Sequence, residues 1–549
     1  MIASHRPAPA ASQTAVSLFD AAQSRAVDAA AIEQLPVPGF VLMQRAAAFA
    51  CDQLLQHFPG ISSISVWCGK GNNAGDAYLL ALAAKQAGLR VQLVAVTDPD
   101  ALSGDAQQAH AAAVAGGLRV HVGVVAPQGE VIVDGLLGTG ARGAPRDTYA
   151  EAIVAMQAAG RPILSLDIPS GVDASTGAVV GMAVIAQVTC SFITRKIGAY
   201  TGAGVVHVGI REHGDLGVPE RLYAAGLALL TWHANWLPHA QPHSQPQAPI
   251  ASAQGLQRAG SAFPTLRADT HKHRQGRVVV VGGHEHMPGA VILAGTAALK
   301  VGAGMVTIIT HGAHRSAIVA HTPEIMVLDA QDAQVGSVLN GADVIVCGPG
   351  LGRDEWSRNL YDRVHAAQRP TVMDADGLYH LAGTTFHEAG LIVTPHSGEA
   401  AHLLDQSVHE VENDRLAAAV QLGERYAAFG VLKGPGSIVF TPTENVGVCA
   451  HGNPGMASAG MGDVLSGVVA GLWAERRAYA RTEPDDPNLD DRLDAQQAIA
   501  GAVCLHSAAA DHAAQTTGLR SLMASDVLAA LSDVLCGNPQ QSRDHTSHE

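Results

Sequence analysis

The chain has 549 residues, 47% of them hydrophobic and 15% charged, and a net charge of −15. That length exceeds what one ordinary core sustains and calls for at least two domains. The negative charge excludes nucleic acid and anionic membrane surfaces as main partners, because both polyanions would be repelled, and leaves small molecules as the ligands. No stretch offers the roughly 18 uninterrupted apolar residues of a membrane span. The seven cysteines are scattered, without a Cys-x-x-Cys pair or a regular framework, so a reducing, cytoplasmic setting is expected. The 27 histidines lack a helical His-Glu-x-x-His spacing and read as solvated side chains.

Residues 1–16, rich in Ala, Pro and Ser, lack the basic and apolar regions of a signal peptide and read as a frayed, disordered end. From residue 17 to 58 the pattern predicts two amphipathic helices broken near residues 36–39, followed by a buried strand over 61–67. That strand runs into Gly69-Lys70-Gly71-Asn72-Asn73-Ala74-Gly75-Asp76 and then a helical run over 77–87. A glycine loop at the carboxyl end of a strand is where open α/β sheets take their ligands. It has neither the Gly-Lys-Ser/Thr ending of a P-loop nor the third glycine of a dinucleotide fingerprint. Its amide carbonyls suit a weakly charged cation or a ligand's amide and hydroxyl groups, and an Asx turn is the plain structural alternative. Two further strands, over 131–140 and 163–173, also end in an acid and a glycine loop.

Taken together, Asn72-Asn73-x-Gly75-Asp76, Gly138-Thr139-Gly140 and Asp167-Ile168-Pro169-Ser170-Gly171 resemble the NAD(P)H-hydrate epimerases, over about residues 17–215. The resemblance implies a Rossmann-like, doubly wound α/β/α domain, placed at residues 17–236. It implies potassium ligands at Asn73, Asp134 and Ser170, a set of one carboxylate and neutral oxygens that suits a monovalent cation. It also implies hydrate contacts from Asn72, Asn73, Ala74, Gly75 and Asp76, from Gly138, Thr139, Gly140, Ala141, Arg142, Gly143 and Ala144, and from Asp167. Asp167 is the expected acid/base group, since inverting a hydroxyl-bearing carbon needs proton transfer. Asp173 reads as a structural acid, and Lys196 as a phosphate or ribose contact or a solvated lysine. Ala74 and Ala77 stand where this family commonly has glycine, and their methyl groups are expected to crowd the ligand.

Residues 237–265 turn to Pro, Gln, Ala, Ser and His, a linker composition. A second α/β domain follows at 266–537, with a polar tail over 538–549. Its strands again end in glycine loops or acids: Gly282-Gly283 with Met287-Pro288-Gly289-Ala290, Gly348-Pro349-Gly350-Leu351-Gly352, and Asp374-Ala375-Asp376. His396 follows a proline that restrains its loop, and Lys433-Gly434-Pro435-Gly436-Ser437 combines a cation with exposed backbone donors. The last motif is Gly460-Met461-Gly462-Asp463, opening a helix rich in small residues. A helix N-terminus stabilises anions, so an aspartate there is misplaced unless it takes a proton from a hydroxyl that then attacks phosphorus. An ordinary N-cap is the plain alternative.

The stretch Asn453-Pro454-Gly455-Met456-Ala457 with Gly462-Asp463-Val464-Leu465 closely resembles the nucleotide-dependent NAD(P)H-hydrate dehydratases, a branch of the ribokinase-like fold. The resemblance implies Asp463 as catalytic base, hydrate contacts at Ala290, Gly350, His396 and Asp463, and nucleotide contacts at Lys433, Gly434, Pro435, Gly436, Ser437 and Gly462. The bacterial branch further implies ADP as phosphate donor. Asp374 and Asp376 read as ordering phosphate-bound Mg²⁺ directly or through water, with structural strand-end acids as the plain alternative. The implied substrates are hydrated NADH and NADPH, and Ala-rich helices in both domains lead us to expect a homo-oligomer. Two alternatives remain: a ribokinase-like kinase of a vitamin-precursor alcohol, and a dehydratase whose first domain binds ligand without turnover.

Overall fold

The computed structural model describes residues 16–223, 226–231, 272–386, 390–482 and 491–536. The expected linker, the polar tail and all but the last residue of the expected frayed start lie outside them. Two α/β units are present, as the alternation of strand and helix patterns implied. In the first, seven parallel strands run in the spatial order Val120–Val122, Arg90–Ala95, Ser63–Cys68, Val131–Gly135, Ile163–Leu166, Val188–Phe192 and Ile210–Gly214. The central strands are buried almost end to end, the mark of a sheet covered by helices on both faces. The chain builds outward from Ser63–Cys68 in one direction and then returns to add Val131–Gly135 on its other side. That reversal opens a crevice at the carboxyl ends of these two strands.

The second unit holds a larger sheet. Seven parallel strands, Met326–Asp329, Met305–Thr310, Arg277–Val281, Val344–Cys347, Thr371–Met373, Leu391–Val393 and Phe429–Leu432, are extended by the antiparallel pair Ile438–Phe440 and Asn445–Cys449. The sheet does not stop there. Leu227–Leu230 pairs with Asn445–Cys449, Ser17–Phe19 pairs with Leu227–Leu230, and Arg195–Lys196 pairs with Ser17–Phe19. Backbone hydrogen bonding therefore runs from the second unit into three segments of the first.

Ser17–Phe19 is thus a strand, where the pattern predicts the start of a helix. The helix Ala21–Gln34 begins one residue past Asp20, whose side chain accepts from the backbone of Ala22 and Gln23 while the Gln23 side chain caps it in return. This capping box stops the helix from extending backwards and leaves Leu18 and Phe19 free to be buried between the sheets. The break before Gly39–His57 falls at residues 35–38, as expected. No described helix is long and apolar enough to cross a membrane.

One helix pair positions the second site. Met461–Thr482 packs along Pro288–Lys300 with almost no side chain between the backbones. A Cβ on Gly467 would lie 2.1 Å from the Ala294 carbonyl oxygen, and one on Gly471 would lie 2.7 Å from that of Ala298. Small residues four apart thus let the helices touch. A Gly467→Ala substitution is expected to cost about 2–3 kcal/mol through overpacking, since its neighbour is rigid backbone. Urea denaturation of the purified protein measures this, and an unchanged midpoint would show that the helices can separate freely.

Candidate active sites

In the first unit the loops after three strands converge on a cavity of ≈ 530 Å³. Asn72, Asn73, Asp76, Gly138, Thr139, Gly140, Ala141 and Asp167 line it, as expected. Ala74 and Gly75 do not: Ala74 is buried in the core, and a Cβ on Gly75 would lie 2.5 Å from the Met43 sulfur. Arg142, Gly143 and Ala144 continue the loop beyond the lining. Ala77 is also a core residue, its methyl 2.4 Å from where a Cβ on Gly135 would sit. The methyl groups of Ala74 and Ala77 therefore fill the layer between helix and sheet. The expected crowding of the ligand does not arise.

Asp134 is fully buried and accepts four hydrogen bonds, from Ser165 Oγ at 2.8 Å, Ser170 Oγ at 2.6 Å, Ser170 N at 2.9 Å and Leu136 N at 3.2 Å. Burial nonetheless pushes its carboxyl above the usual carboxylate range, with these bonds opposing the shift. Beside the same loop, Asn73 spends its amide hydrogens on the carbonyls of Leu137 and Leu166, at 2.8 and 3.3 Å. Its Oδ1 is buried with no hydrogen-bond donor.

Lys196 is not the solvated lysine of one expectation, and it lines the cavity. It is 2% exposed, donates to the Phe192 carbonyl at 2.8 Å and forms an ion pair with Asp167. Asp167 itself sits at φ 65°, a left-handed conformation that non-glycine residues seldom adopt. Asp173 behaves as the structural acid it resembles, capping the backbone N–H groups of Ser175 and Thr176. Asp28 was missed by the motif reading. It comes from helix Ala21–Gln34, lines the same cavity, and has its pKa raised to about 6 by burial, with Lys196 pulling down and Asp167 pushing up. The available signal was an acid beside the buried stripe of Ser24, Val27 and Ala31. Asp76 is driven well above the carboxylate range by burial, then by Asp167 and Asp28.

In the second unit, Lys433 and Asp374 are brought together from the ends of the two strands that flank Leu391–Val393, Nζ to Oδ1 at 2.8 Å, with Glu399 Oε2 at 3.7 Å. Ser466 Oγ donates to the other Asp374 oxygen at 2.5 Å. Burial opposes charge on both partners, yet attraction prevails: Asp374 is held below and Lys433 above the ordinary value. Gly462 makes room for this pair at the helix end, since a Cβ there would lie 3.2 Å from Lys433 Nζ. Asp463, in the first helical turn, is pushed up to about 7 by burial and then by the charge of Asp374.

His396 is exposed, and its Nδ1 accepts from the backbone of Gly398 and Glu399 at 3.0 and 3.2 Å. That fixes the tautomer and leaves Nε2–H as a donor. Its backbone bridges to Lys433, so the loop after Leu391–Val393 and the loop 433–437 are registered on each other. Gly350, at φ 56°, lies against Ala290: a Cβ on it would be 3.2 Å from the Ala290 Cβ. Asp376 accepts from Gly352 N and Arg353 Nε, at 3.0 and 2.8 Å, and serves the loop's structure. Arg415, which no motif singled out, is fully buried behind residues 432–433.

Two separate strand-end sites, each with a carboxylate titrating near neutrality, make the chain a two-centre α/β enzyme acting on small molecules. Residues 39–198 match the family described as YjeF-related protein N-terminus, and residues 278–532 match the family described as NAD(P)H-hydrate dehydratase. The chain is 36% identical over 521 residues to the bifunctional NAD(P)H-hydrate repair enzyme Nnr of Coxiella burnetii, covering 93% of this chain and 97% of that one. It is 35% identical over 503 residues to the Escherichia coli protein of the same name, covering 91% and 90%. A Leishmania infantum relative, 32% identical over 500 residues, covers 84% and 85%. The chain belongs to the family of bifunctional NAD(P)H-hydrate repair enzymes.

Lys196→Met should cost about 1–3 kcal/mol of stability, because it leaves the part-buried Asp167 carboxylate without its cation. Adding Asp167→Asn should recover much of that loss. A double-mutant cycle in urea reads both effects, and strict additivity would mean that the pair does not interact.

Proposed function

We propose that this chain repairs hydrated NADH and NADPH, the first domain interconverting the R and S hydrates and the second dehydrating the S hydrate at the expense of ADP. The observation that carries the reading is Asp463, a carboxylate titrating near pH 7 at a helix N-terminus, beside a lysine already held charged. A hydroxyl on the dihydronicotinamide ring is a poor leaving group. Asp463 takes its proton as the oxygen attacks the β-phosphorus of ADP, the bond to AMP breaks, and AMP departs. The phosphorylated hydroxyl then leaves as phosphate, driven by the ring nitrogen's electron pair, and loss of a proton restores NAD(P)H.

Lys433 and the N–H groups of residues 460–462 stabilise the charge on the transferred phosphoryl group. His396 presents Nε2–H to the hydrate, and Ala290 and Gly350 allow close approach of its ring. Among the described residues no cluster of three acids, histidines or cysteines could hold a metal, and Asp374 and Asp376 are already engaged. Asp374 and Asp376 would help order Mg²⁺ on the nucleotide phosphates directly or through water, where the ion would supply charge neutralisation.

In the first domain Asp167, oriented by Lys196, is the acid/base group. Asp76, whose carboxyl is pushed well above the usual carboxylate range by burial, lines the same cavity as a second acid. Potassium fits at Asn73, Asp134 and Ser170: the orphaned Asn73 Oδ1 needs a partner, and a cation would hold buried Asp134 ionised. The seven free cysteines, six of them buried, suit a reducing cytoplasm.

Absorbance recovery of NADH from a mixture of both hydrates, with K⁺, Mg²⁺ and ADP, tests the whole reading. Complete recovery is expected; Asp167→Asn should halt it at the S fraction. Asp463→Asn should slow dehydration about 10³-fold while isomer exchange continues. No recovery with ADP or ATP, or accumulation of a stable phosphorylated product, would overturn the assignment.

The pH dependence has a definite sign. Asp463 acts as a base only when ionised, so kcat/KM for dehydration should fall about tenfold per unit below its pKa of about 7 and level off above it. Asp374→Asn removes a neighbouring negative charge and should move that limb to lower pH. A limb that stays in place would show that another group limits the rate.

A further inference from the structure

The nucleotide loop of the second domain is held from behind by the first. Gly202 N and Thr201 Oγ1, both from the first domain, donate to the carbonyls of Pro435 and Gly436 at 3.0 Å each. The fully buried Arg415 donates through Nη2 to the carbonyls of Leu432 and Lys433, at 3.2 and 3.1 Å, and through Nε to Thr201 Oγ1 at 3.3 Å. Its Nη1 reaches Ser397 Oγ and Glu412 Oε1, at 3.0 and 2.9 Å, so the same guanidinium also ties down the loop that carries His396. Gly436 packs so tightly on the first domain that a Cβ would lie 1.8 Å from the Tyr200 carbonyl oxygen.

These contacts share one geometric consequence. In a trans peptide the carbonyl of one residue and the N–H of the next point in opposite directions. Pinning the carbonyls of Lys433, Pro435 and Gly436 toward Arg415 and residues 201–202 therefore turns the N–H groups of Gly434, Gly436 and Ser437 away from the clamp. Those are the donors a phosphate would use.

We propose that residues 200–202 of the first domain, acting with Arg415, are positioning residues that preorganise loop 433–437, so that the nucleotide affinity of the second site depends on the first domain. The inference rests on reading that loop as the nucleotide site. Thr201 touches neither substrate; it accepts from Arg415 and donates to Gly436, and valine keeps its shape while removing both bonds.

In the full-length chain, Thr201→Val should raise the KM for ADP about five- to tenfold, the equivalent of one or two lost hydrogen bonds. The KM for the hydrate, kcat at saturating ADP and the isomer-exchange rate should stay within about twofold, and Thr201→Ser should restore the KM for ADP. Calorimetric titration with ADP gives the same shift as a dissociation constant, without requiring turnover. An unchanged ADP affinity in Thr201→Val, with a wild type that repairs the hydrate, would overturn the clamp and leave the function standing. A fall in all parameters together with a lower Tm, unrelieved by Thr201→Ser, would reduce the contact to general stability and overturn it as well. A wild type that binds neither ADP nor ATP would overturn the loop assignment itself.

Discussion

A lysine and an aspartate removed from water together, Lys433 and Asp374, govern the second half of this molecule. Taking two charges out of solvent is costly, and only close geometry with further hydrogen bonds compensates. Here the further bonds come from Ser466 on the helix Met461–Thr482 and from the Thr394 side chain just past strand Leu391–Val393, so helix and sheet meet at the pair. Burial and then the charge of Asp374 raise Asp463 toward neutrality, and Lys433 is held cationic beside it.

The first domain solves a similar problem with different parts. Lys196 is buried against Asp167, and the surrounding carboxyl groups are pushed upward by burial and by one another. In both sites a lysine pairs with one carboxylate, while another carboxyl nearby is pushed up toward neutral pH. Acid and base roles are thereby separated by environment, although the residue type is the same.

The domains are also joined more deeply than a tether would require. Strands Ser17–Phe19, Arg195–Lys196 and Leu227–Leu230 extend the larger sheet, and residues 201–202 brace its loop 433–437. Arg195–Lys196 lies one residue past the Thr194 hydroxyl that bonds Ser24, and Lys196 reaches into the first cavity. The edge of one site and the backing of the other are thus built from neighbouring residues.

What the sequence by itself determined is local: the strand-end glycine loops, the alternation of strands and helices, the small-residue helix after Asp463, and the residues of both motifs. These are legible because strand ends, turns and helix starts impose their chemistry over a few consecutive positions. Tertiary structure alone decided which acids share a cavity, that Asp28 joins Asp76 and Asp167, and that Lys196 is paired and buried. It also decided that Ala74 and Ala77 face the core, that Ser17–Phe19 crosses to the other sheet, and that Arg415 stands behind loop 433–437. Each of these depends on burial and on contacts between residues far apart in the chain. Desolvation and Coulomb energy follow distance in space, which local pattern does not encode.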